Sequence, residues 1–120
     1  MLVKSYKENA ESKPLSAAGM KWFFKYYLTK AEDGNDPRLS ILRTKDLSGL
    51  PAATIINAEI DPLRDEGEAY GEKLKAAGVP VTHKLYPAVM HEFFGMGAVI
   101  DEAEQAEIFA AAQLKTAFSK

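Results

Sequence analysis

The spacing of the apolar positions marks the elements in the first half of the chain. Residues 1–14 are polar and aperiodic, which predicts an arm or loop. Apolar side chains then recur at steps of three and four over residues 17–31, and they predict a helix with Ser16 as its N-cap. The run 33–37 should end this helix, because glycine, asparagine and a residue before proline all disfavour its continuation. Residues 38–51 predict an irregular connector.

The second half of the chain shows a strand, a helix and a second strand in succession. Residues 52–60 are almost continuously apolar, with β-branched side chains in the middle, which predicts a strand buried on both faces. Residues 62–77 predict a helix with Pro62 in its first turn and Gly78 just after its end. Residues 81–86 predict the second strand. A strand–helix–strand unit of this size predicts two parallel strands joined by a crossover helix, and hence the α/β class.

The two outer helices should both be packed against other elements. Asp101 and Glu104 resemble a capping box at the start of a last helix. Its inward positions would be Ala103, Ala106, Ala110, Leu114 and Phe118. The first helix carries aromatic side chains around its whole circumference, and core packing is the better interpretation of them than ligand stacking; they are Trp22, Phe23, Phe24, Tyr26 and Tyr27.

Length and composition narrow the possible functions. With 120 residues the chain is a single domain or part of one, organised as an arm (1–14), a helix and connector (15–51) and a strand–helix–strand–helix unit (52–120). A net charge of −2 gives no electrostatic footprint for nucleic acid or an anionic membrane. The absence of cysteine excludes disulfides and thiolate sites. No signal-peptide core or membrane span is present in the sequence, so a cytoplasmic protein is expected.

Polar residues that could carry chemistry follow the two predicted strands. Asp61 comes directly after the first strand and His91 lies just beyond the second. Asp61 could be a helix cap before Pro62, or it could orient an imidazole at the carboxyl end of a parallel strand. His91 could be a structural histidine or a general base. His83 lies inside the second strand, where a structural role is expected. Two histidines and scattered carboxylates have no metal-ligand spacing, so neither a metal nor a cofactor is expected.

A series of short motifs runs along the chain. The most specific is AEIDPLRDEGEAY at residues 58–70, with a histidine thirty positions after its first aspartate. Weaker landmarks are SYKENA (5–10), MKWF (20–23), DPRLS (36–40), DLSGLP (46–51) and LKAAGV (74–79). Together these motifs resemble the bacterial hormone-sensitive-lipase-like esterases, from about Ser5 to the C-terminus, and correspond to roughly the C-terminal third of a complete member. The resemblance implies a C-terminal fragment of the α/β-hydrolase fold.

The resemblance also implies an activity and roles for individual residues. Asp61 would be the acid and His91 the base of a Ser-His-Asp triad, in the chain order of α/β-hydrolases. Asp65 would be a structural carboxylate on the helix. The implied reaction is hydrolysis of short to medium acyl carboxylic esters without a cofactor. One position departs from the family, which usually has glycine after the histidine where this chain has Glu92. An extra carboxylate there could pair with the base or restrict the turn.

The chain lacks the nucleophile that this family uses. None of its six serines has a glycine two residues before it, so the G-x-S-x-G elbow is absent, and no H-G-G-G-type loop is present. We therefore expect the isolated chain to be inactive. Three interpretations stay open: a truncated or engineered esterase fragment, half of a split esterase or lipase completed by another chain, and a non-catalytic interaction module that reuses the fold.

An exposed strand edge predicts that the chain is not a monomer. The strand at residues 54–60 should have lost one neighbour, and it contains no lysine or internal proline that would blunt the edge. Antiparallel pairing of two such edges, or exchange of the N-terminal helix, would give a homo-oligomer. An N-terminal esterase fragment is the other possible partner, and an ester substrate would bind only to the completed protein.

Overall fold

The computed structural model describes residues 3–119 and confirms the α/β class. Within that part of the chain two strands form one parallel sheet, and four α-helices surround it. In chain order the elements are α1 (Lys4–Glu8), α2 (Ala17–Tyr27), β1 (Ala53–Ile60), α3 (Arg64–Ala76), β2 (Val81–Met90) and α4 (Asp101–Phe118), with short 3₁₀ helices at Ala31–Asn35, Ile41–Arg43 and Phe93–Met96. No helix within residues 3–119 is long and apolar enough to cross a bilayer. The cytoplasmic location stays a prediction.

The crossover helix α3 lies on one face of the sheet. It begins at Arg64 with Leu63 as its N-cap, so Pro62 precedes the helix and does not lie in its first turn as predicted. Gly78 adopts a φ of +79° just beyond its end, as the sequence predicted for a C′ glycine. Leu74 is the most buried large side chain of this helix and packs with Leu47 and Val79. Gly67 lies so close to β1 that a Cβ there would meet the Asn57 amide at 2.3 Å. This close approach fixes the height of α3 above the strand.

A second cluster lies between the sheet and α4. It consists of Ala58, Tyr86, Val89, Phe93, Ala103 and Ala106. The two alanines of α4 are fully buried, as predicted, but Leu114 and Phe118 are exposed, because the described residues offer a sheet of only two strands and the later turns of α4 extend past it. The predicted capping box is also wrong, since Ile100 occupies the N-cap position and no side chain bonds there.

The sheet contains an irregularity that lengthens β2 beyond its predicted end. The strands pair from Ala53 with Val81 to Ala58 with Tyr86, and pairing resumes at Ile60 with Met90. Three residues of β2 therefore oppose the single residue Glu59 of β1. The predicted end of this strand at residue 86 lies just before Pro87, which lacks the N–H donor of a ladder bond. The bulge accommodates that proline and lets the strand continue to residue 90.

The N-terminal segment differs from its prediction in two respects. Residues 3–14 are not a free arm, because they contain α1, whose Ser5 is fully buried against the start of α3; residues 1 and 2 lie outside the described part. A five-residue helix held by polar contacts is too short to produce an apolar period. The Ser16 cap of α2 is confirmed, since its Oγ accepts from the Gly19 N–H at 3.1 Å.

Helix α2 is shorter and more exposed than predicted. It ends at Tyr27, and a separate 3₁₀ helix covers Ala31–Asn35. Core packing of its aromatic side chains is wrong within the described chain: their exposed fractions range from 42% at Phe24 to 75% at Tyr27. Trp22 stacks only on its helical neighbours Phe23 and Tyr26. A continuous apolar face is therefore presented to the surroundings.

Candidate active site

Asp61 and His91 meet at the carboxyl edge of the sheet. The Nδ1 atom of His91 lies 2.8 Å from Oδ2 of Asp61. The two residues directly follow the last register pair, Ile60 with Met90. The offset between partners is 28 positions at Ala58 and Tyr86 and becomes 30 after the bulge, which equals the separation of Asp61 from His91. The bulge thus brings the two side chains opposite each other.

The carboxylate of Asp61 is not the N-cap of α3, because Leu63 occupies that position and no side chain caps the helix there. Its Oδ1 accepts the N–H of Leu63 at 2.8 Å, which closes the turn that leads into α3. Its Oδ2 faces the imidazole. The side chain is 9% exposed, so both bonds are shielded from water. Because one oxygen is already held by the main chain, the other has a defined direction toward His91.

His91 has its second ring nitrogen available for chemistry. Its side chain is 31% exposed, and among residues 3–119 the ring bonds only to Asp61. With Nδ1 bonded to a carboxylate, the neutral ring carries its proton on Nδ1 and leaves Nε2 as an acceptor. An imidazole in this state can accept a proton from a hydroxyl group. The described serine hydroxyls that form hydrogen bonds do so with the main chain, none of them with His91.

Open clefts converge on His91 from several sides. One of about 320 Å³ runs along β1 and is lined by Thr54, Ile56, Ala58, Phe93 and Phe94 together with the Asp61–His91 pair and Glu92. Another of about 340 Å³ is almost wholly apolar and runs under α2, lined by Leu15, Met20, Phe23, Phe24, Tyr27, Leu39 and Leu63. The apolar lining of this cleft suits a ligand with a hydrocarbon part.

The loop around Asp61 is braced by α1 and by Asn9 at its C-cap, a contact that the sequence did not predict. The Asn9 amide donates to the Asp61 carbonyl at 3.2 Å, and the Ser5 hydroxyl donates to the Pro62 carbonyl at 2.7 Å. Asp65, expected to be a structural carboxylate, accepts from the Ser5 N–H at 2.8 Å and from Arg64. The only sequence signal for this brace was the resemblance in residues 5–10, since polar contacts across more than fifty positions leave no periodic pattern.

Electrostatic shifts accompany this brace. Burial alone would raise the pKa of Asp65, but the hydrogen bonds from Ser5 and Arg64 outweigh it, and the pKa lies below its ordinary value. Partial burial raises the pKa of Glu66. Burial, followed by the negative charges of Glu66 and Asp61, raises the pKa of Tyr6. The lowered pKa of Asp65 thus reflects its hydrogen bonds to Ser5 of α1 and to Arg64.

The remaining two candidates lie on either side of this centre. His83 is not part of it: its Nε2 pairs with Oδ1 of Asn57 at 2.9 Å across the sheet, which is the structural role predicted. Glu92 directly follows His91 in the chain and lies in the left-handed region, with a φ of +67°. A non-glycine residue costs about 1–2 kcal/mol in that conformation. The turn after His91 therefore has the geometry that glycine favours.

Comparisons with known proteins agree with this geometry. The family described as alpha/beta hydrolase fold matches residues 2–95. An ethyl acetate hydrolase of Pseudomonas putida is 41% identical over 91 residues, which cover 76% of this chain and 29% of that protein. Carboxylesterase NlhH of Mycobacterium tuberculosis is 35% identical over 116 residues, covering 94% of this chain and 36% of the relative. The chain thus spans about a third of the length of the curated relatives it matches.

Solved structures give the same result. An esterase of Pyrobaculum calidifontis superposes with a TM-score of 0.93 at 36% identity, over 97% of this chain and 38% of its own. EstE1, a thermostable carboxylesterase from a metagenomic library, superposes with a TM-score of 0.92 at 36% identity, over 97% of this chain and 40% of its own. The arrangement of strands and helices is therefore that of the corresponding part of these enzymes.

Proposed function

This chain belongs to the alpha/beta hydrolase fold family, and we propose that it is the acid–base portion of a serine carboxylic ester hydrolase. The observation that carries the proposal is the 2.8 Å contact between Asp61 and His91, placed where two parallel strands end. Open α/β sheets carry their active sites at that edge. The apolar cleft beside His91 supports an ester with a hydrocarbon part as substrate. The similarity to an ethyl acetate hydrolase supports short acyl esters within this class.

In the proposed reaction His91 transfers one proton in each direction. Its Nε2 removes the proton of a serine hydroxyl as the serine oxygen attacks the ester carbonyl, and the same proton then passes to the leaving alcohol. A water molecule attacks the acyl-enzyme in the second half-reaction, with His91 again as base. Asp61 keeps the Nδ1 tautomer and stabilises the imidazolium that forms in both halves.

The nucleophile must come from a polypeptide segment outside these 120 residues. That segment would carry the G-x-S-x-G elbow and the oxyanion donors, either in a second chain or in a longer form of this one. Loss of triad members costs 10⁴-fold or more in rate, and oxyanion donors normally sustain the residual activity. We therefore expect residues 1–120 alone to hydrolyse activated esters no faster than free imidazole.

Reconstitution tests this proposal. The chain is mixed with a segment of a related esterase that contains the serine elbow and the oxyanion loop, and hydrolysis of p-nitrophenyl acetate is followed. We expect activity only when both components are present. Asp61→Asn should lower the kcat of the mixture about 10⁴-fold, because the variant keeps the geometry but holds the imidazole in the wrong tautomer. His91→Ala removes the base and should abolish the hydrolysis. His83→Gln is the matched control, because His83 lies outside the site, and it should retain the activity. An active mixture in which Asp61→Asn leaves kcat unchanged would refute the assignment.

A second candidate function is supported by the exposed aromatic face of α2. Side chains such as Trp22 and Tyr27 are more than half exposed, and large apolar patches on soluble proteins mark interaction surfaces. The edge of β1 that faces away from β2 has no neighbour within residues 3–119. We propose that the chain associates through these surfaces, either with a copy of itself or with the segment that supplies the nucleophile. The two partners differ in outcome: only the second gives hydrolysis.

A further inference from the structure

We propose that α1 is a positioning element for the catalytic acid, and that Ser5 and Asn9 aim the Asp61 carboxylate at His91. The inference rests on the proposed function, in which Asp61 must hold the imidazole. It assigns a role to a short polar helix that makes no contact with the reacting atoms. Ser5 and Asn9 are accordingly positioning residues rather than catalytic ones.

The two hydrogen bonds end on consecutive carbonyl groups of the acid loop. The Asn9 amide donates to the carbonyl of Asp61 itself at 3.2 Å. The Ser5 hydroxyl donates to the carbonyl of Pro62 at 2.7 Å. Both bonds connect residues more than fifty positions apart, so they are tertiary contacts and not local turns. Two successive peptide groups held in this way cannot rotate without breaking at least one bond.

Because the Ser5 hydroxyl is buried, losing its hydrogen bonds would be costly in free energy. Ser5 and Pro62 are both fully buried. The Ser5 hydroxyl donates to the Pro62 carbonyl and also accepts the N–H of Asp65 at 3.2 Å. Its removal would leave the buried Pro62 carbonyl and the part-buried Asp65 N–H unpaired, and an unpaired buried acceptor costs more than an ordinary hydrogen bond contributes. The loop would relieve that cost by shifting its main chain.

Charged contacts hold α1 to the far side of the same loop. The Ser5 N–H donates to Asp65 Oδ2 at 2.8 Å. Arg64 donates to Glu8 at 2.8 Å, to Asp65 at 3.0 Å and to the Glu59 carbonyl at 3.1 Å. The guanidinium thus joins the end of β1, the start of α3 and α1. Ser5 and Arg64 thus connect both ends of the loop between β1 and α3 to α1.

A displacement of the main chain at Asp61 would move its carboxylate directly. Oδ1 is already fixed by the Leu63 N–H at 2.8 Å, so side-chain rotation cannot compensate without losing that bond. The contact between Oδ2 and His91 Nδ1 would then lengthen. Misplacement by about 1 Å, even from a change remote from the chemistry, can cost on the order of 10²-fold in rate.

The test compares Ser5→Ala and Asn9→Ala with Ser16→Ala in the full chain. Ser16 caps α2 and does not contact the acid loop, so its loss lowers stability without touching Asp61. The readout is the far-downfield NMR resonance of the His91 proton held between Nδ1 and Asp61, and its rate of exchange with solvent. At equal loss of stability, we expect the His91 proton to exchange about fivefold faster in Asn9→Ala than in Ser16→Ala. This factor corresponds to the net contribution of one hydrogen bond. Ser5→Ala should shift or abolish the resonance.

The outcomes decide between positioning and simple stabilisation. An unchanged resonance and exchange rate in both variants, beyond the effect of Ser16→Ala, would overturn the proposal. If Ser5→Ala fails to fold, Asn9→Ala decides, because Asn9 is only half-buried and donates a single bond to the loop. The reconstituted enzyme gives a second readout: kcat should fall up to about 10²-fold with KM unchanged. The NMR result is independent of the nucleophile, so a failed reconstitution would count against the proposed function and not against this inference.

Discussion

Replacement of Gly67 by alanine tests how closely α3 packs against β1. An ideal Cβ at this position would lie 2.3 Å from Nδ2, 2.7 Å from Oδ1 and 2.9 Å from Cγ of Asn57. The Asn57 amide cannot simply turn away, because its Oδ1 is paired with His83 at 2.9 Å. Either the amide or the whole helix must move.

The expected magnitude follows from three opposing contributions. Alanine in a helix interior is about 1 kcal/mol more favourable than glycine. Overpacking of a filled interior costs about 1–3 kcal/mol. Loss of the Asn57–His83 hydrogen bond costs about 1 kcal/mol more. Gly67→Ala should therefore lower the free energy of unfolding by roughly 1–3 kcal/mol, the propensity gain being cancelled by the lost hydrogen bond.

Urea denaturation followed by circular dichroism measures this change. Gly19→Ala in α2 is the matched control, because the nearest atom to its Cβ would be Ser16 Oγ at an ordinary 3.5 Å. That variant should be neutral or more stable. Adding Asn57→Ala to Gly67→Ala removes the colliding amide and should recover part of the loss. If Gly67→Ala stabilises the chain as much as Gly19→Ala does, the packing of α3 is looser than the structure indicates and the reasoning fails.

Three further changes test other parts of the molecule. Glu92→Gly should raise the unfolding free energy by about 1 kcal/mol, because glycine adopts a φ of +67° without strain, and should leave the reconstituted rate unchanged or higher; a less stable variant in thermal denaturation would reveal a contact of Glu92. Asp65 has a pKa below its ordinary 3.8, so its stabilising contribution is complete above that value and is lost as the pH falls through the lower folded pKa; acid titration should show this loss, and Asp65→Asn should remove it. Ile56→Lys should dissociate or unfold the expected oligomer, because Ile56 also packs against the cluster between the sheet and α4, whereas Val99→Lys, which is 80% exposed and outside the strands, should do neither; a wild-type chain that light scattering shows to be monomeric at high micromolar concentration would contradict the association.

The sequence was most informative about elements whose structure depends on residues that are close together in the chain. The β-branched run before Asp61 predicted β1, and the spacing from Pro62 to Gly78 predicted α3, because strand and helix periods are local properties. Asp61 and His91 each follow a predicted strand, so both were expected at the carboxyl edge of the sheet. The rule that parallel strands end on the same side allowed the two residues to meet, and the resemblance to the esterases implied that they form a pair.

Prediction failed where the outcome depends on distant partners. Burial of the α2 aromatics could not be derived from their spacing, since an apolar side chain such as Tyr27 is covered only if another element reaches it. The contacts of Ser5 and Asn9 cross more than fifty positions and use hydrogen bonds, which have no periodic pattern. The extension of β2 past Pro87 depends on its pairing with β1 and not on its own residues.

The geometry of the Asp61–His91 pair therefore depends on two structural features outside the 58–70 motif. On the side of the base, the bulge changes the strand offset from 28 to 30 positions, and the Ala88 N–H that it exposes is taken up by Glu59 Oε2 at 2.7 Å. Ala88 itself has a φ of +57°, so this arrangement carries a backbone cost that the surrounding contacts must offset. On the side of the acid, α1 and Arg64 hold the main chain of the loop. A chain with the same aspartate and histidine but a regular β2 would place residue 91 opposite Leu63, about two residues or 7 Å along the strand from Asp61. An acid and a histidine thirty positions apart identify the family, but it is the irregular strand and the remote helix that bring the two side chains into hydrogen-bonding contact.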